Sequence, residues 1–262
     1  MIFAGRTALA AALAIALWCR PEAAAAQAPA LGEAGLNAAM VKLFGSNTSF
    51  TARAEFHVLD AHQKEIDFMP AAYAMLDGKT RMDVDMNQVR SADIPAAAMT
   101  ALKQLGMDQT SVITRPDQKL TYSIYPRAKA YAEIAMNKEE TAALEANFKV
   151  ERTALGKETV DGHACQKDKV TFTGDKGQKL ETTVWSAADL KDFPVQMQMA
   201  ADPNANMLIK FREVKLVRPD ARQFEPPTGL TKYDSAEALK EALTKVPVHT
   251  EPKSPVPTDI KR

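Results

Sequence analysis

The chain has 262 residues, of which 33 are Lys or Arg and 33 are Asp or Glu, so its formal net charge at pH 7 is zero. It has no basic stripe with interleaved aromatic residues and no polybasic cluster, which argues against binding to nucleic acid or to anionic membrane surfaces. The two cysteines, Cys19 and Cys165, are too few for a disulfide framework. A hydrophobic core must therefore stabilise the fold.

Residues 1–26 have the pattern of a secretory signal peptide. Arg6 supplies the positive charge, Ala8–Leu17 a short apolar region, and Ala24–Ala26 the small residues of a cleavage site. The mature chain is expected to begin near Gln27. Neither this apolar region nor any later segment is long enough to be transmembrane. The protein is therefore predicted to be periplasmic or secreted, and soluble after cleavage.

Lipid attachment at Cys19 would instead anchor the protein to a membrane. The bacterial lipoprotein signal requires a small residue before the cysteine, whereas Trp18 stands there. Lipid anchoring at Cys19 is therefore not expected. Cys165 is then the single cysteine of the mature chain, which leaves no partner for an intramolecular disulfide.

The first part of the mature chain predicts a helix followed by strands. The helix covers Leu31–Phe44 and ends at Gly45. Phe50–Leu59 alternates between apolar and polar residues, as a strand with one buried face does. Further strands are predicted by the segments Lys64–Met69, Ala71–Leu76 and Arg81–Asn87.

A helix, a hairpin and a second helix are predicted next. Pro95–Leu105 is a helix because Pro95 favours a first turn and Gly106 a helix end. Ser111–Arg115 and Leu120–Tyr125 are predicted to pair as a hairpin. Asn137–Glu140 has the form of a capping box that opens a helix reaching about Asn147.

The segment Phe148–Leu216 predicts a meander of short antiparallel strands. Turn residues such as Asp161-Gly162 and Gly174–Gly177 separate alternating apolar runs. Met207–Val217 is predicted as the last long strand. A final helix carries Leu239, Leu243 and Val246, and the residues 247–262 are predicted to be a Pro-rich disordered tail.

These elements predict an α+β fold built on one strongly curved antiparallel sheet. A twisted sheet of about ten or eleven strands rarely stays flat. We therefore expect an unclosed half-barrel with helices covering the open side, in a single domain of residues 27–246.

Three motifs carry a resemblance to a known family. Leu155–Cys165 resembles a strand–turn–strand signature of periplasmic proteins in the LolA/LolB-like superfamily. Val184-Trp185 with Asp189–Val195, and Phe224–Leu230 after Val214-Lys215, resemble its next two landmarks. The chain looks closest to uncharacterised members, known as domains of unknown function. The resemblance implies a LolA-like half-barrel and, from the characterised members, a carrier of lipids or lipoproteins or a sensor of periplasmic partners.

A metal site is not expected from the sequence, and no cofactor is predicted. The four histidines form no recognised zinc motif. Asp83, Asp85 and Asn87 begin like a calcium loop, but Gln88 and Ile94 replace its required Gly and Glu. This segment is interpreted as the solvated face of a strand.

A cysteine nucleophile is not expected from the sequence. His163 and Cys165 are two residues apart, so both can face one side of a strand. The sequence indicates neither a third, orienting group nor an oxyanion site. The pair is interpreted as a turn histidine and a buried structural thiol, and the protein is predicted not to be an enzyme.

Methionines in strand patterns point to an apolar ligand cavity. Methionine packs irregularly and recurs on promiscuous apolar surfaces, although ordinary core filling explains the same pattern. The candidate cavity residues are Phe56, Met69, Met75, Met82, Met86, Met99, Leu102, Met197 and Met199. A lipid or lipoprotein acyl chain is the predicted ligand. The alternative is an interaction module of the cell envelope, with a closed core, that binds a protein partner.

Overall fold

The computed structural model describes residues 32–175, 177–202 and 204–245. These residues form a thirteen-stranded, unclosed antiparallel sheet with four α-helices, which confirms the predicted α+β half-barrel. The predicted signal peptide 1–26 and tail 247–262 lie outside the described residues.

The four predicted helices are all present. They are α1 (Gly32–Leu43), α2 (Ala96–Gln104), α3 (Lys138–Glu145) and α4 (Ala236–Lys245). The predicted capping box opens α3: the Glu140 amide donates to Asn137 Oδ1 at 2.8 Å, and the Asn137 amide donates to Glu140 Oε2 at 2.7 Å. Both bonds satisfy amides that a helix start otherwise leaves unpaired.

The strands follow the predicted alternation over most of the chain. They are β1 (Ser49–Asp60), β2 (Glu65–Leu76), β3 (Lys79–Asp85), β4 (Arg90–Ser91), β5 (Gln109–Arg115), β6 (Leu120–Tyr125), β7 (Ala130–Ala135), β8 (Lys149–Val160), β9 (His163–Thr173), β10 (Lys179–Ala187), β11 (Phe193–Asp202), β12 (Ala205–Lys215) and β13 (Thr231–Tyr233). Their order is β13-β7-β6-β5-β3-β2-β1-β12-β11-β10-β9-β8, and β4 pairs additionally with β2. Only the short β13–β7 pair among them is parallel.

Two strands that the sequence divides are continuous in the structure. β2 runs through Pro70, which pairs with Glu55 on the β1 side. On the other side β3 pairing begins at Ala71 and β4 pairing ends at Phe68, so Pro70 falls in a gap where no ladder partner needs its missing amide. β8 is likewise one strand, where the segments Val150–Leu155 and Glu158–Val160 are predicted as two, and Gly156 between them lies at a bulge with φ +127°.

The sheet separates two apolar clusters. On the inner face, side chains from both halves of the sheet pack with residues of α1, α2 and α4, including Leu43, Leu102 and Leu239. On the outer face a smaller cluster comprises Ala74, Leu76, Ile113, Tyr122, Ile124 and Phe224.

The outer cluster is covered by a segment that we call the strap, residues 216–230. It leaves β12 and crosses the outer face to reach β13 at the far edge of the sheet. Phe224 belongs to the strap, in the 3₁₀ turn Ala221–Phe224, and its side chain is fully buried against the sheet. Arg218 donates to Asp77 at 2.8 Å, and Arg81 donates to the Gln223 carbonyl at 2.8 Å, so the strap is tied to β3 and to the turn before it.

Candidate functional site: an apolar inner face and a polar outer cavity

The structure brings all nine predicted cavity residues into the inner apolar cluster. Met99 on α2 is half-buried and packs against the cluster. The other eight are buried: Phe56, Met69, Met75, Met82, Met86, Leu102, Met197 and Met199. Burial in one cluster does not show ligand binding, so the role of these residues in binding stays a prediction.

Strand register aligns part of this set into a row across the sheet. Phe56 on β1 pairs with Met69 on β2 and with Ile209 on β12. Ile209 in turn pairs with Met197 on β11. Cross-strand partners on one face lie about 5 Å apart, so the row is a continuous apolar band across four strands.

Aromatic side chains occupy the other end of the inner face. Phe44, Phe50, Tyr73, Phe193 and Phe211 form a cluster in which the Phe44–Phe50 and Phe50–Phe193 ring centroids are each 4.8 Å apart. Phe50 and Phe56 are six residues apart on β1, about 20 Å along the strand. The inner face therefore has an aromatic end, which also contains Met75 and Met82, and a methionine-rich end with Met69, Met197 and Met199.

Helix α2 is fastened beside the methionine-rich end. At Gly106 an added Cβ would lie 2.8 Å from the Ala128 amide nitrogen, so only glycine allows this close approach to the β6–β7 turn. Arg127 pairs with Asp108 at 2.5 Å, and the buried Oδ1 of Asp108 has no partner among the described atoms. These contacts fix the end of α2 from which Leu102 points into the cluster.

A cavity of about 620 Å³ opens on the outer face, where the sequence predicts no site. Its floor is formed by Pro70, Ala72 and Ala74, three successive outward positions of β2. The neighbouring strands carry longer side chains, including Arg53 on β1 and Asp83 on β3. Small residues flanked by long charged ones leave a depression between two polar walls. The sequence feature that indicates this cavity is the Pro-x-Ala-x-Ala pattern of residues 70–74 inside a strand.

The charged groups on the β3 wall are held in place. Arg81 Nε lies 2.9 Å from each carboxylate oxygen of Asp83, and its NH2 donates to Ser111 Oγ at 3.2 Å. Asp85 caps the 3₁₀ turn Met86–Gln88, and the hydrogen bonds from Asn87 hold the pKa of Asp85 below its usual value. The carboxylate oxygens of Asp83 and Asp85 in the calcium-like segment are thus engaged by protein donors.

The Cys165 region differs in one respect from the sequence interpretation. Asp189, in the 3₁₀ turn after β10, lies 2.7 Å from Nδ1 of His163, so an orienting carboxylate is present that the sequence did not indicate. Cys165 itself is buried, and its thiol donates to the His163 carbonyl at 3.4 Å. Burial raises the pKa of Cys165, which disfavours the reactive thiolate.

The described ranges contain neither a metal-binding cluster nor a membrane-spanning helix. No group of three or more His, Cys, Asp or Glu side chains there is arranged to hold a metal ion. No helix in those ranges is long and apolar enough to cross a membrane.

Solved structures similar to this chain share little sequence with it. A LolA superfamily protein from Nitrosomonas europaea is 9% identical, with a TM-score of 0.38, and the match covers 73% of this chain and 96% of that one. LprF from Mycobacterium bovis is 14% identical, with a TM-score of 0.36 and coverage of 72% and 96%. The lipoprotein LppX from Mycobacterium tuberculosis is 11% identical, with a TM-score of 0.38 and coverage of 68% and 94%.

No curated protein matches the chain in sequence. One family model does match, over residues 69–213, and it is described as a domain of unknown function, DUF4412. Because this region takes in more than half of the chain, the protein belongs to the DUF4412 family.

Proposed function

We propose that this protein is a non-enzymatic binding protein of the periplasm that carries or senses a lipid, a lipoprotein or an acyl chain on the inner face of its sheet. The observation that supports the proposal is the band of Phe56, Met69, Met197 and Ile209, which joins both halves of the sheet within a cluster that also includes residues of α1, α2 and α4. Flexible thioether side chains suit a ligand of variable shape.

Acyl chains give an energy of the right size for a carrier. Burying a methylene gains about 0.8 kcal/mol, so about 14 methylenes offer roughly 11 kcal/mol. Association costs about 4–15 kcal/mol. One chain would therefore bind modestly and a lipid with several chains better, which allows both loading and release.

Native mass spectrometry tests the proposal directly. The mature protein is purified from the periplasm without detergent and then incubated with phospholipid vesicles. Extra mass equal to a phospholipid or a fatty acid supports the carrier. A bare polypeptide mass both before and after incubation contradicts it and favours the envelope interaction module with a closed core.

A substitution then locates the site. Ala54 is fully buried in the inner cluster, beside Phe56 on the same face of β1. Ala54→Phe is expected to reduce lipid-bound mass at least tenfold, because the ring competes with an acyl chain for the inner face, and to lower the thermal midpoint without unfolding the protein, because Ala54 is fully buried. The control is Thr153→Phe on the exposed face of β8. A large fall in midpoint with no lipid in the wild type would indicate a fully packed core, since overpacking costs about 1–3 kcal/mol.

A further inference from the structure

We propose that the outer cavity is a second binding site, for an extended peptide segment that carries alternating positive and negative side chains. The site lies on the face opposite the methionine-rich band and is separate from the lipid proposal. Three features support it: the width of the cavity, the charges of its two walls and the charged groups without an ion-pair partner among the described residues there.

The dimensions of the cavity match an extended chain. Arg53, Ala72 and Asp83 stand in register on the adjacent strands β1, β2 and β3. Neighbouring strands are about 4.8 Å apart, so the two charged residues are separated by about 10 Å across the Ala72 methyl group. Pro70 and Ala74, which are buried, mark the two ends of a floor about 14 Å long, the length of roughly four extended residues, and Ala72 is exposed at its centre.

The two walls have opposite net charge. On the β1–β12 side the cavity is lined by Arg53, Lys215 and Glu213, a sum of +2 and −1 that leaves +1. On the β3 side it is lined by Arg81, Asp83 and Asp85, a sum of +1 and −2 that leaves −1. A ligand that fits both walls must present acidic groups to one side and basic groups to the other. In an extended peptide, successive side chains point in opposite directions, which provides that arrangement.

Charged groups on the β1–β12 wall are available to a ligand. Lys215 and Glu213 are exposed, and neither side chain forms an ion pair within the described ranges. Arg53 is half exposed and lies 3.6 Å from Glu55. Glu213 occupies a left-handed backbone position, φ +51°, at the bulge where β12 shifts register against β1. Bulges redirect side chains, and here one acidic group is turned to line the cavity.

The lining favours a peptide over a glycan. Sugar rings are commonly held by exposed aromatic faces, and the one aromatic side chain that borders the cavity, Tyr73, belongs to the inner aromatic cluster. The walls instead supply full charges, amides and hydroxyls, among them Gln109, Ser111 and Gln223. These groups complement a charged polypeptide.

Fluorescence anisotropy with defined peptides tests the site. The probe is a fluorescein-labelled hexapeptide of alternating Lys and Glu, and its control has the same composition in two blocks, three Lys followed by three Glu. The wild-type protein is expected to bind the alternating peptide at least tenfold more tightly than the block peptide. Binding should weaken as NaCl rises from about 50 to 500 mM, since exposed charges are screened.

Variants connect that binding to the cavity. Ala72→Phe fills the floor at an exposed position and should weaken binding at least tenfold, whereas Thr153→Phe on β8 should not. The double variant Arg53→Glu/Lys215→Glu makes the β1–β12 wall acidic. This variant should lose affinity for the alternating Lys–Glu peptide and gain affinity for a peptide of alternating Lys and Ala. Circular dichroism and thermal midpoints confirm that each variant folds.

Several outcomes would overturn the proposal. They are equal affinity for the two Lys–Glu peptides, binding that Ala72→Phe leaves intact, and no gain of the Lys–Ala peptide by a folded double variant. Binding of maltohexaose that Ala72→Phe abolishes, with no peptide binding, would assign the cavity to a glycan instead. None of these results depends on whether the inner face binds lipid.

Discussion

Arg115 is a buried cation that joins three parts of the molecule. It lies on β5, and its guanidinium pairs with Asp117 in the following turn at 2.8 Å. It also pairs with Glu225 of the strap and donates to the Phe224 carbonyl at 3.3 Å. The hydrogen bonds from Asp117 and Glu225 raise the pKa of Arg115, so it stays charged at every ordinary pH.

Arg115→Met is expected to lower the free energy of unfolding by about 2 kcal/mol, because charge-assisted hydrogen bonds contribute about 1.5–3 kcal/mol. Urea denaturation measures the change. Arg222→Met is the matched control: Arg222 also pairs with an aspartate two residues away, Asp220, but its side chain is 90% exposed. Exposed pairs contribute little, so the control should resemble the wild type. Equal losses in the two variants would show that enclosure by the strap does not matter.

The direction of each side chain along a strand could be predicted from the sequence. On β1 the residues Phe50, Ala54 and Phe56 are buried as the alternation predicts, while Arg53 is exposed. The partner of His163 could not be predicted, because Asp189 is 26 residues away and the contact depends on how β10 ends. Local periodicity fixes which face a residue occupies, whereas its neighbours on that face come from strand order.

At the scale of elements, the strap connects the centre of the sheet to its edge. It begins after β12, which pairs with the central strand β1, and ends at β13, which pairs with β7 over three residues. So short a parallel pair is weak by itself. Burial of Phe224 and the contacts of Arg115 hold the strap, and through it β13, in place.

Phe224→Ala is therefore expected to cost about 3 kcal/mol of stability, since truncating a buried Phe typically costs 3–5 kcal/mol. In Phe224→Ala the amides of Thr231–Tyr233 should also exchange with solvent faster than in the wild type and faster than those of β5. Hydrogen exchange with mass spectrometry resolves the two strands. Leu155→Ala, at a side chain that is 52% exposed, is the control and should change neither quantity. Unchanged exchange at β13 in Phe224→Ala would mean that β13 is held without the strap.

The strands β4, β7 and β13 could not be predicted from the sequence, and the reason is physical. β7 has three alanines in six residues, and alanine favours helix over strand. β4 and β13 have two and three residues, too short for any periodicity. Their pairing depends on partners elsewhere in the chain, Thr231 with Ala130 for example. The four helices carry caps or glycine stops nearby, which is why their positions could be predicted.

At the scale of the whole molecule, one sheet presents an apolar surface on one side and a charged cavity on the other. Ala54 and Ala72, on the adjacent strands β1 and β2, face opposite sides. Each therefore reports on one surface while the backbone between them is shared.

The two binding activities are expected to be separable. Ala54→Phe should reduce lipid-bound mass at least tenfold and leave peptide anisotropy unchanged, and Ala72→Phe should do the reverse. The double variant should lose both. If either single variant abolished both activities while remaining folded, the two surfaces would be coupled or would form one site.

The shared inner face of the methionines could be predicted from the sequence, because residues at alternate positions of a strand lie on the same face. Met69 and Met197 nevertheless belong to one band only because β1 pairs with β12, and these two strands are far apart in the sequence. The outer cavity could not be predicted, because Ala72 is defined as a floor only by Arg53 and Asp83 on either side. Both sites depend on strand order, which periodicity does not encode.

The pairing of β1 with β12 also constrains how the chain is made. Phe56 and Ile209 are partners although 153 positions (209 minus 56) separate them, whereas most other neighbours in the sheet are joined by short turns. A nascent chain that has not reached residue 205 has a long β1 with one edge bare, and bare edges recruit other chains. Contacts this distant also form slowly. The central strand is therefore protected only after β12 has been synthesised, and products that stop short of β12 should accumulate as aggregates through β1.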